Sequence, residues 1–296
     1  MIRFISSIAL VSALVLLGGC GLSSAPGTGG AKSAGGKSKT ITIKGSDTMV
    51  ILCQRWAEVY MHHNSAIDVQ VTGGGSGTGI AALINGGTDI CAASRPMKDK
   101  EKQQVKAKHN QDSVETAVAL DGLTVYLNKN NPVKQLSVEQ LDKIYRAQIT
   151  DWKDVGGTPG KIVCYGRENS SGTYAYFKEH VLKEKDFATE VQSLPGTAAV
   201  IHAVGKDPNG IGYGGKAYES KDTDVKECAV STKEGEAATL PSLANVVSGT
   251  YPLSRKLFFY TAGQPGGEVK TFIDWVLGEE GQKVCDQVGY YPIPKK

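Results

Sequence analysis

Segments patterned like β-strands alternate with segments of helical periodicity along the chain from Thr40 to its end. Short apolar or alternating runs predict strands at 40–44, 68–72, 88–93, 115–120, 123–128, 162–166, 225–230 and 256–261. Helical spacing of apolar residues and capping signals predict helices at 48–61, 79–85, 99–109, 137–146, 171–183, 198–204, 268–277 and 279–288. This alternation predicts an α/β layer fold, because each element must bury its apolar face against another layer.

The first twenty residues have the features of a bacterial export signal that ends in a lipidation site. A basic residue, Arg3, precedes an apolar run at 4–17, which is too short to span a bilayer comfortably. Cys20 directly follows two glycines, and this arrangement resembles the bacterial lipobox, whose cysteine is lipidated. We therefore expect a signal peptide at 1–19, and a lipidated cysteine with a flexible tether at 20–39. An ordinary signal peptide with an incidental cysteine is the alternative.

The charge of the chain argues against nucleic acid as a partner. The formal net charge is +3, and removal of Arg3 with the signal region lowers it by one. Nucleic-acid-binding proteins usually show a clustered basic excess. Here lysines are interspersed with acidic residues, and the lysine-rich stretch at 98–108 has the pattern of a solvated helix face.

The cysteines and histidines predict no metal or redox site. No two cysteines have Cys-x-x-Cys spacing, and no histidines lie at paired ligand spacing. Without Cys20 the number of cysteines is odd, and their pairing stays open. Export permits one or two disulfides, whereas cysteines in apolar runs also suit core positions. The cysteines concerned are Cys53, Cys91, Cys164, Cys228 and Cys285.

Four short turns rich in glycine and hydroxyl residues lie where a predicted strand meets a predicted helix. They are 45–49 (Gly-Ser-Asp-Thr-Met), 73–79 (Gly-Gly-Gly-Ser-Gly-Thr-Gly), 94–96 (Ser-Arg-Pro) and 166–173 (Gly-Arg-Glu-Asn-Ser-Ser-Gly-Thr). One such turn alone is explained by helix capping and chain reversal. Four in one chain, two of them with an arginine, favour a shared binding function.

The chemistry of these turns suits a small tetrahedral anion. A helix N-terminus presents unpaired backbone N–H groups, and the helix dipole favours negative charge there. Glycine allows close approach of the backbone, hydroxyls add donors, and arginine presents a fork of N–H groups that matches two oxygens. Several such turns that converge on one point would hold an oxyanion by many directed hydrogen bonds.

In combination, these turns resemble those of the periplasmic phosphate-binding proteins of bacterial phosphate ABC transporters. That family has a threonine turn before the first helix, a Gly-Ser-Gly turn before the second, and an Arg-x-x-x-Ser-Gly-Thr turn on the other lobe. This sequence carries them as Asp47-Thr48-Met49, Gly75-Ser76-Gly77 and Arg167 followed by Ser171-Gly172-Thr173. The segment 210–213 is also similar, and the resemblance covers nearly the whole chain after the tether.

The resemblance implies a type II periplasmic-binding-protein-like fold, in which two α/β lobes joined by crossover segments close over a ligand. Lobe one would comprise 40–121 and 251–296, and lobe two 122–250. The phosphate contacts carried over are Thr48, the backbone N–H of Met49, Ser76, Arg167, Ser171, Gly172 and Thr173. Further candidates from the same turns are Ser46, Asp47, Ser94 and Arg95.

One position departs from the family pattern and leaves the identity of the anion open. Family members place an aspartate after the strand that matches 88–93, where it accepts a hydrogen bond from protonated phosphate, but Ser94 stands there in this sequence. A carboxylate only accepts hydrogen bonds, so it disfavours fully deprotonated sulfate. Asp47 is the candidate replacement, although a simple helix cap is an equal alternative. Arg95 could add a positive charge or could pair with an acidic residue outside the cleft.

The resemblance implies a function without catalysis: capture of inorganic phosphate and its delivery to the membrane permease of an ABC importer. The expected protein is an exported monomer, anchored at the periplasmic or extracellular face through lipid on Cys20, without cofactor or metal. Three alternatives remain: a receptor for sulfate or another tetrahedral oxyanion, a secreted phosphatase, and a signalling or adhesion module. A phosphatase needs a nucleophile with a base, or a metal cluster, and the sequence shows neither pattern.

Overall fold

The computed structural model describes residues 39–218 and 224–294. The predicted signal peptide, the predicted lipidation site Cys20 and the predicted tether up to residue 38 lie outside the described residues. Lys39, predicted as the last residue of the tether, instead begins the first strand. Its backbone pairs with Ile67, and its ammonium lies 2.7 Å from the Glu268 carboxylate, which explains the earlier start.

Strands and helices alternate as the sequence predicts, so the α/β class is confirmed. Within the described residues the strands are β1 (Lys39–Gly45), β2 (Ile67–Thr72), β3 (Ile90–Ala93), β4 (Ser113–Asn128), β5 (Gln135–Ser137), β6 (Val163–Arg167), β7 (Gln192–Leu194), β8 (Gly210–Gly215), β9 (Val225–Ser231) and β10 (Ser254–Ala262). The α-helices are α1 (Val50–His63), α2 (Ser76–Ile84), α3 (Asp99–His109), α4 (Val138–Tyr145), α5 (Gly172–His180), α6 (Thr197–Lys206), α7 (Leu243–Val247), α8 (Gly267–Leu277) and α9 (Glu279–Val288). In these described ranges, no helix is both long and apolar enough to cross a bilayer.

The strands differ from the expectation in two respects: two predicted strands are one, and β5, β7 and β8 were not predicted. The strands predicted at 115–120 and 123–128 form the single strand β4. Asp121 does not break this strand, because it is fully buried and pairs with Arg255 on β10. The glycine-rich strand β8 has no strand signature, since glycine is depleted in strands. A Cβ on Gly212 would lie 2.5 Å from the Val200 side chain, so glycine is needed for α6 to pack there.

The sheet changes partners halfway along β4. Its order is β2-β1-β3-β10-β4-β8-β6-β7, with β9 beside β4 and β5 beside β9. Residues 113–122 of β4 pair with β10, whereas residues 123–128 pair with β8 and β9. Because β1 runs parallel to both β2 and β3, the carboxyl ends of these three strands lie at one edge of the sheet.

A large hydrophobic core lies on each side of this change of partners. The core of the first lobe includes residues of α1, α8 and α9, and the core of the second lobe includes residues of α4, α5 and β8. Membership changes between Ala119 and Leu123 along β4, and between Leu253 and Leu257 where β10 begins. The structure therefore has the two-lobed α/β architecture that the resemblance implies.

All five cysteines of the described residues are free thiols, so the disulfides that export would permit do not form there. Four of them are buried, and Cys164 is partly buried. Burial raises the pKa of the Cys91, Cys164 and Cys228 thiols to about 12. Since the thiolate is the reactive form, these cysteines should react slowly in the folded protein.

We expect a fragment of residues 37–296 to expose its five thiols to a disulfide reagent only when it is unfolded. The unreduced protein is titrated with the reagent at pH 8, with and without denaturant. The Cys164→Ser variant controls for the one thiol that is only partly buried. Fewer than five thiols in the unfolded, unreduced protein would reveal a disulfide and contradict this description.

Candidate functional site

Three of the four predicted turns lie at one edge of the sheet of the first lobe. The turn at 45–49 follows β1, the turn at 73–79 joins β2 to α2, and the turn at 94–96 follows β3. Backbone hydrogen bonds connect this edge: the Gly75 N–H donates to the Gly45 carbonyl at 2.9 Å. The parallel pairing of the strands therefore brings residues that are distant in sequence to one place.

Buried hydroxyl groups from these turns contact one another. The Ser46 hydroxyl donates to the Ser94 hydroxyl at 2.9 Å, and the Ser76 and Ser94 oxygens lie 3.3 Å apart. The Ser94 N–H also donates to the Ser76 oxygen at 3.0 Å. Buried hydroxyls need hydrogen-bonding partners, and these three side chains provide them for one another. They form a polar centre inside the fold.

The fourth turn brings the second lobe against this polar centre. The hydroxyl oxygens of Thr48 and Thr173 lie 2.7 Å apart across the two lobes. Gly172 comes so close that an added Cβ would lie 2.3 Å from the Ser76 oxygen and 2.6 Å from the Ser94 oxygen. Glycine is therefore needed at this position for the lobes to meet in the closed arrangement seen here.

Two of the predicted contact residues use hydrogen-bonding groups within their own turns. Ser171 caps α5, and its oxygen accepts from the N–H groups of Thr173 and Tyr174 at 3.2 Å each. Its hydroxyl hydrogen is still able to donate elsewhere. The Met49 N–H, predicted as a ligand donor, instead donates to the Ser46 carbonyl at 3.0 Å. Residues 47–49 form a 3₁₀-helix, in which hydrogen bonds join residues three apart.

Arg167 is the buried cation of the fourth turn, with a side chain that is 1% exposed. Its Nη1 donates to the Thr197 hydroxyl at 2.8 Å, and its Nε and Nη2 donate to the Glu168 carboxylate at 3.1 and 3.0 Å. Burial alone would raise the pKa of Glu168, but the hydrogen bonds and charge of Arg167 outweigh burial and hold that pKa below its usual value. The guanidinium is thus held firmly between an acid and a hydroxyl.

Asp47 reaches from the first lobe to the second. Its Oδ2 lies 3.5 Å from Nη2 of Arg167 and accepts a 2.8 Å hydrogen bond from the N–H of Thr197, the first residue of α6. A carboxylate is favourable at a helix N-terminus because of the helix dipole. The carboxylate therefore serves a helix of the other lobe, whereas the sequence offered a cap of its own helix as the simple alternative.

Arg95 is the one predicted side chain that turns away from this centre. Its Nη2 and Nη1 donate to the two Glu101 carboxylate oxygens at 2.7 and 2.8 Å, and its Nη1 also donates to the Pro96 carbonyl at 2.9 Å. Burial alone would raise the pKa of Glu101, but the hydrogen bonds and charges of Arg95 and Lys98 together outweigh burial and hold that pKa below its usual value. Of the two alternatives for Arg95, the structure shows the pairing with an acidic residue.

A second buried arginine, which sequence reasoning missed, reaches the polar centre. Nη2 of Arg255 donates to the Thr173 hydroxyl at 3.1 Å, and its Nη1 donates to the Ser94 carbonyl at 3.3 Å. Its Nε and Nη2 also donate to Asp121 at 3.0 and 2.7 Å. The available sequence signal is a charged residue inside each of two largely apolar strands, since such residues are seldom buried unless paired.

The site combines many hydrogen-bond donors with one more carboxylate than guanidinium. The guanidiniums of Arg167 and Arg255 face the carboxylates of Asp47, Glu168 and Asp121. An anion would therefore be held here by directed hydrogen bonds rather than by net positive charge. Among the residues that the structure describes, no three His, Cys, Asp or Glu side chains are grouped so that they could hold a metal ion.

The comparisons with known proteins span this site. The family model of a PBP superfamily domain matches residues 30–280, a range that includes all four turns. The chain is 36% identical to the phosphate-binding protein PstS of Pseudomonas aeruginosa, over 90% of this chain and 86% of that protein. It is 34% identical to the protein of the same name from Staphylococcus haemolyticus, over 97% of this chain and 91% of that protein.

Solved structures give a matching result. A Clostridium perfringens protein, named as a phosphate ABC transporter substrate-binding protein and crystallised with bound phosphate, has a TM-score of 0.78 and 29% identity. The match covers 86% of this chain and 100% of that one. An ABC-type phosphate transport receptor from Vibrio cholerae has a TM-score of 0.69 and 30% identity, with the same coverage of 86% and 100%.

We expect Gly172→Ala to destabilise the closed lobes or to hold them apart, because the added methyl group would overlap the Ser76 and Ser94 hydroxyls. Overpacking of this kind costs about 1–3 kcal/mol of unfolding free energy. Urea unfolding and small-angle scattering measure the two effects. Gly266→Ala is the matched control, since nothing lies within 4 Å of a Cβ at that position. Equal unfolding free energies and equal radii of gyration for the two variants would contradict the close approach at Gly172.

Proposed function

Because this chain belongs to the PBP superfamily, and within it to the family of the phosphate-binding protein PstS, we propose that it captures inorganic phosphate and delivers it to an ABC importer. The relatives reported above are named for phosphate binding and phosphate transport. The proposed work is selective binding and release, without any chemical change to the phosphate.

The observation that carries this proposal is the meeting of hydroxyl groups from both lobes beside a buried arginine. Thr48 and Ser76 belong to the first lobe, and Thr173 belongs to the second. Arg167 is hydrogen-bonded to Thr197 and lies beside Asp47, the residue before Thr48. Phosphate presents four oxygens in different directions, so its capture needs donors from several sides. Each hydroxyl can donate one hydrogen bond, and the starts of α2 and α5 lie at the same place.

We assign direct phosphate contacts to the side chains at this meeting point. The donors are Thr48, Ser76, Ser94, Arg167, Ser171 and Thr173, and Asp47 is the acceptor. Gly172 permits the close approach of the lobes, and Ser46 supports Ser94 through their hydroxyl contact. Met49 is left out because its N–H donates to the Ser46 carbonyl, and Arg95 is left out because its guanidinium points away from the polar centre, towards Glu101.

Phosphate binding is proposed to accompany movement of the lobes. The boundaries that we propose are 40–121 with 251–296 for the first lobe and 122–250 for the second. The division of the cores supports them, although Tyr251, Leu253 and Tyr291 pack in the second core. The Thr48 and Thr173 hydroxyls are too close for an ion to lie between them, so the lobes must separate to admit one. A ligand that contacts both lobes favours the closed state, because it gains all its hydrogen bonds only there.

Asp47 is the proposed discriminator between phosphate and sulfate. Its carboxylate lies beside Arg167 and can only accept hydrogen bonds. Near neutral pH phosphate carries a proton, whereas sulfate carries none, so only phosphate can donate a hydrogen bond to this carboxylate. Asp47 would thereby supply the acceptor that Ser94 cannot provide at the usual family position. A receptor for sulfate or another oxyanion is the alternative.

We expect the fragment 37–296, stripped of bound anion, to bind phosphate in a calorimetric titration even with sulfate in excess. Asp47→Asn should weaken phosphate binding by about 1.5–3 kcal/mol, the usual contribution of a hydrogen bond to a charged group, and should let sulfate compete. Asp112→Asn is the control, because that carboxylate lies at the surface in a pair with Lys106.

Other outcomes of this titration, or of a turnover assay on the same fragment, would favour a different function. Displacement of phosphate by sulfate from the unaltered fragment would replace the phosphate receptor with a general oxyanion receptor. Turnover of a chromogenic phosphate ester above the blank would favour the secreted phosphatase. Absence of any oxyanion binding would contradict the proposal and favour a signalling or adhesion module.

The proposed location is the outer face of a membrane, periplasmic or extracellular, with the protein acting as a monomer beside separate permease subunits. The sequence pattern that ends at Cys20 supports a lipid anchor, and the following residues are rich in glycine and serine, as flexible linkers are. Such an anchor would keep the receptor near the permease while leaving the lobes free to move.

We expect the full chain, produced in a bacterium that processes lipoproteins, to enter the detergent-rich phase of a phase-separation assay. Cys20→Ser should send the protein to the aqueous phase, because the lipid provides the buried apolar chains. Phosphate binding by the Cys20→Ser protein serves as the control that the folded part is unaffected. Equal partitioning of the two full-length proteins would contradict the anchor.

A further inference from the structure

We propose that Arg255, anchored by Asp121, is a positioning residue of the anion site, which makes the Thr173 hydroxyl a hydrogen-bond donor towards the cleft. The inference rests on the proposed function, because it gives a role in anion binding to two residues outside the four turns. Asp121 and Arg255 face each other in the antiparallel register of β4 and β10. Their side chains therefore meet where the chain passes between the lobes.

The pair is almost completely shielded from water. The side chain of Arg255 is 2% exposed and that of Asp121 is 0% exposed. The other carboxylate oxygen of Asp121 accepts from the Lys216 N–H at 3.3 Å, so the anchor itself reaches a backbone group that follows β8. Burial of two charges costs roughly as much as their attraction returns. Stability alone is thus a poor reason for an ion pair at this position, which suits a role in the site.

The guanidinium decides how the Thr173 hydroxyl can bond. Arginine only donates, so the Thr173 oxygen must be the acceptor of the 3.1 Å hydrogen bond from Nη2. The single hydrogen of this hydroxyl is then available to the Thr48 oxygen at 2.7 Å, or to an anion that replaces this contact. A donor chain from Arg255 through Thr173 thus points into the cleft. Since an anion only accepts, this direction favours its binding, and the positive charge behind the hydroxyl strengthens the donor.

Arg255 also links the two lobes in the closed arrangement. It lies on β10 beside the first core, whereas Thr173 and Tyr176 lie on α5 of the second lobe. The guanidinium carbon is 5.3 Å from the centre of the Tyr176 ring, a cation–π distance. The contacts to α5 would be lost if that helix moved away with its lobe. The guanidinium therefore positions Thr173 only when the lobes are closed.

Arg255→Lys tests the inference in the fragment 37–296. The variant keeps a positive charge for Asp121, but an ammonium cannot reproduce the planar fork that serves Asp121, Ser94 and Thr173 together. Arg95→Lys is the matched control, because Arg95 is also buried and bonded twice to a carboxylate but does not contact the polar centre. We expect Arg255→Lys to weaken phosphate binding by about tenfold or more, and Arg95→Lys to change it by less than about twofold.

Two further measurements separate positioning from a merely structural effect. In the Thr173→Val background, which lacks the hydroxyl, Arg255→Lys should weaken phosphate binding by less than about a further threefold. The reason is that both substitutions remove the same Arg255–Thr173 hydrogen bond. In the unaltered fragment, the nitrogen resonance of the Arg255 side chain, assigned by its loss in the lysine variant, should shift when phosphate saturates the site. The corresponding resonance of Arg95 should not shift.

Equal phosphate affinities for the Arg255→Lys and Arg95→Lys variants would overturn the inference. Fully additive effects of Arg255→Lys and Thr173→Val would do the same. If the valine variant binds too weakly for a titration, the nitrogen resonance of Arg255 is the deciding measurement. A resonance that does not shift when phosphate is added would refute the positioning role. Failure of the unaltered fragment to bind phosphate is a separate result, which would remove the proposed function itself.

Discussion

The contact between Asp121 and Arg255 joins β4 and β10 at the junction of the two lobes. On one side of it β4 and β10 contribute to the first core, and on the other side β4 and the residues before β10 contribute to the second. Arg255 donates to the Asp121 carboxylate and to the Thr173 hydroxyl, so the junction of the lobes and the polar centre belong to one hydrogen-bond network. The proposed movement of the two lobes would reach the site through this network.

The polar centre follows from the geometry of parallel strands. Because β1, β2 and β3 run in the same direction, their following turns meet at one edge, and each turn leads towards a helix or a 3₁₀-helix. The second lobe adds a turn of the same kind from β6 into α5. Hydroxyls and N–H groups converge there from both sides, and carboxylates face the buried arginines. The selection that we propose works by hydrogen-bond direction, which would distinguish anions that carry a proton from anions that do not.

Local patterns in the sequence were sufficient for most of the longer elements and for the four turns, because strand alternation, helix spacing and glycine-hydroxyl turns are properties of neighbouring residues. They were insufficient wherever the outcome depends on a distant partner. Asp121 is tolerated inside a strand because Arg255 faces it. Arg95 points away from the cleft because Glu101 accepts the hydrogen bonds of its guanidinium. Thr197 has no distinguishing sequence signal, yet it meets both Arg167 and Asp47. Strand β8 is recognisable only once the packing of α6 against its glycines is known.

The central claim is that one phosphate ion is held between the lobes by donors from both of them. A crystal structure of the fragment 37–296 grown with phosphate tests it most directly. The account predicts one phosphate within hydrogen-bonding distance of Thr48 and Ser76 from the first lobe and of Arg167 and Thr173 from the second, with the Thr48–Thr173 contact opened to admit it. A phosphate bound to one lobe alone, or bound only outside this cleft, would contradict the account.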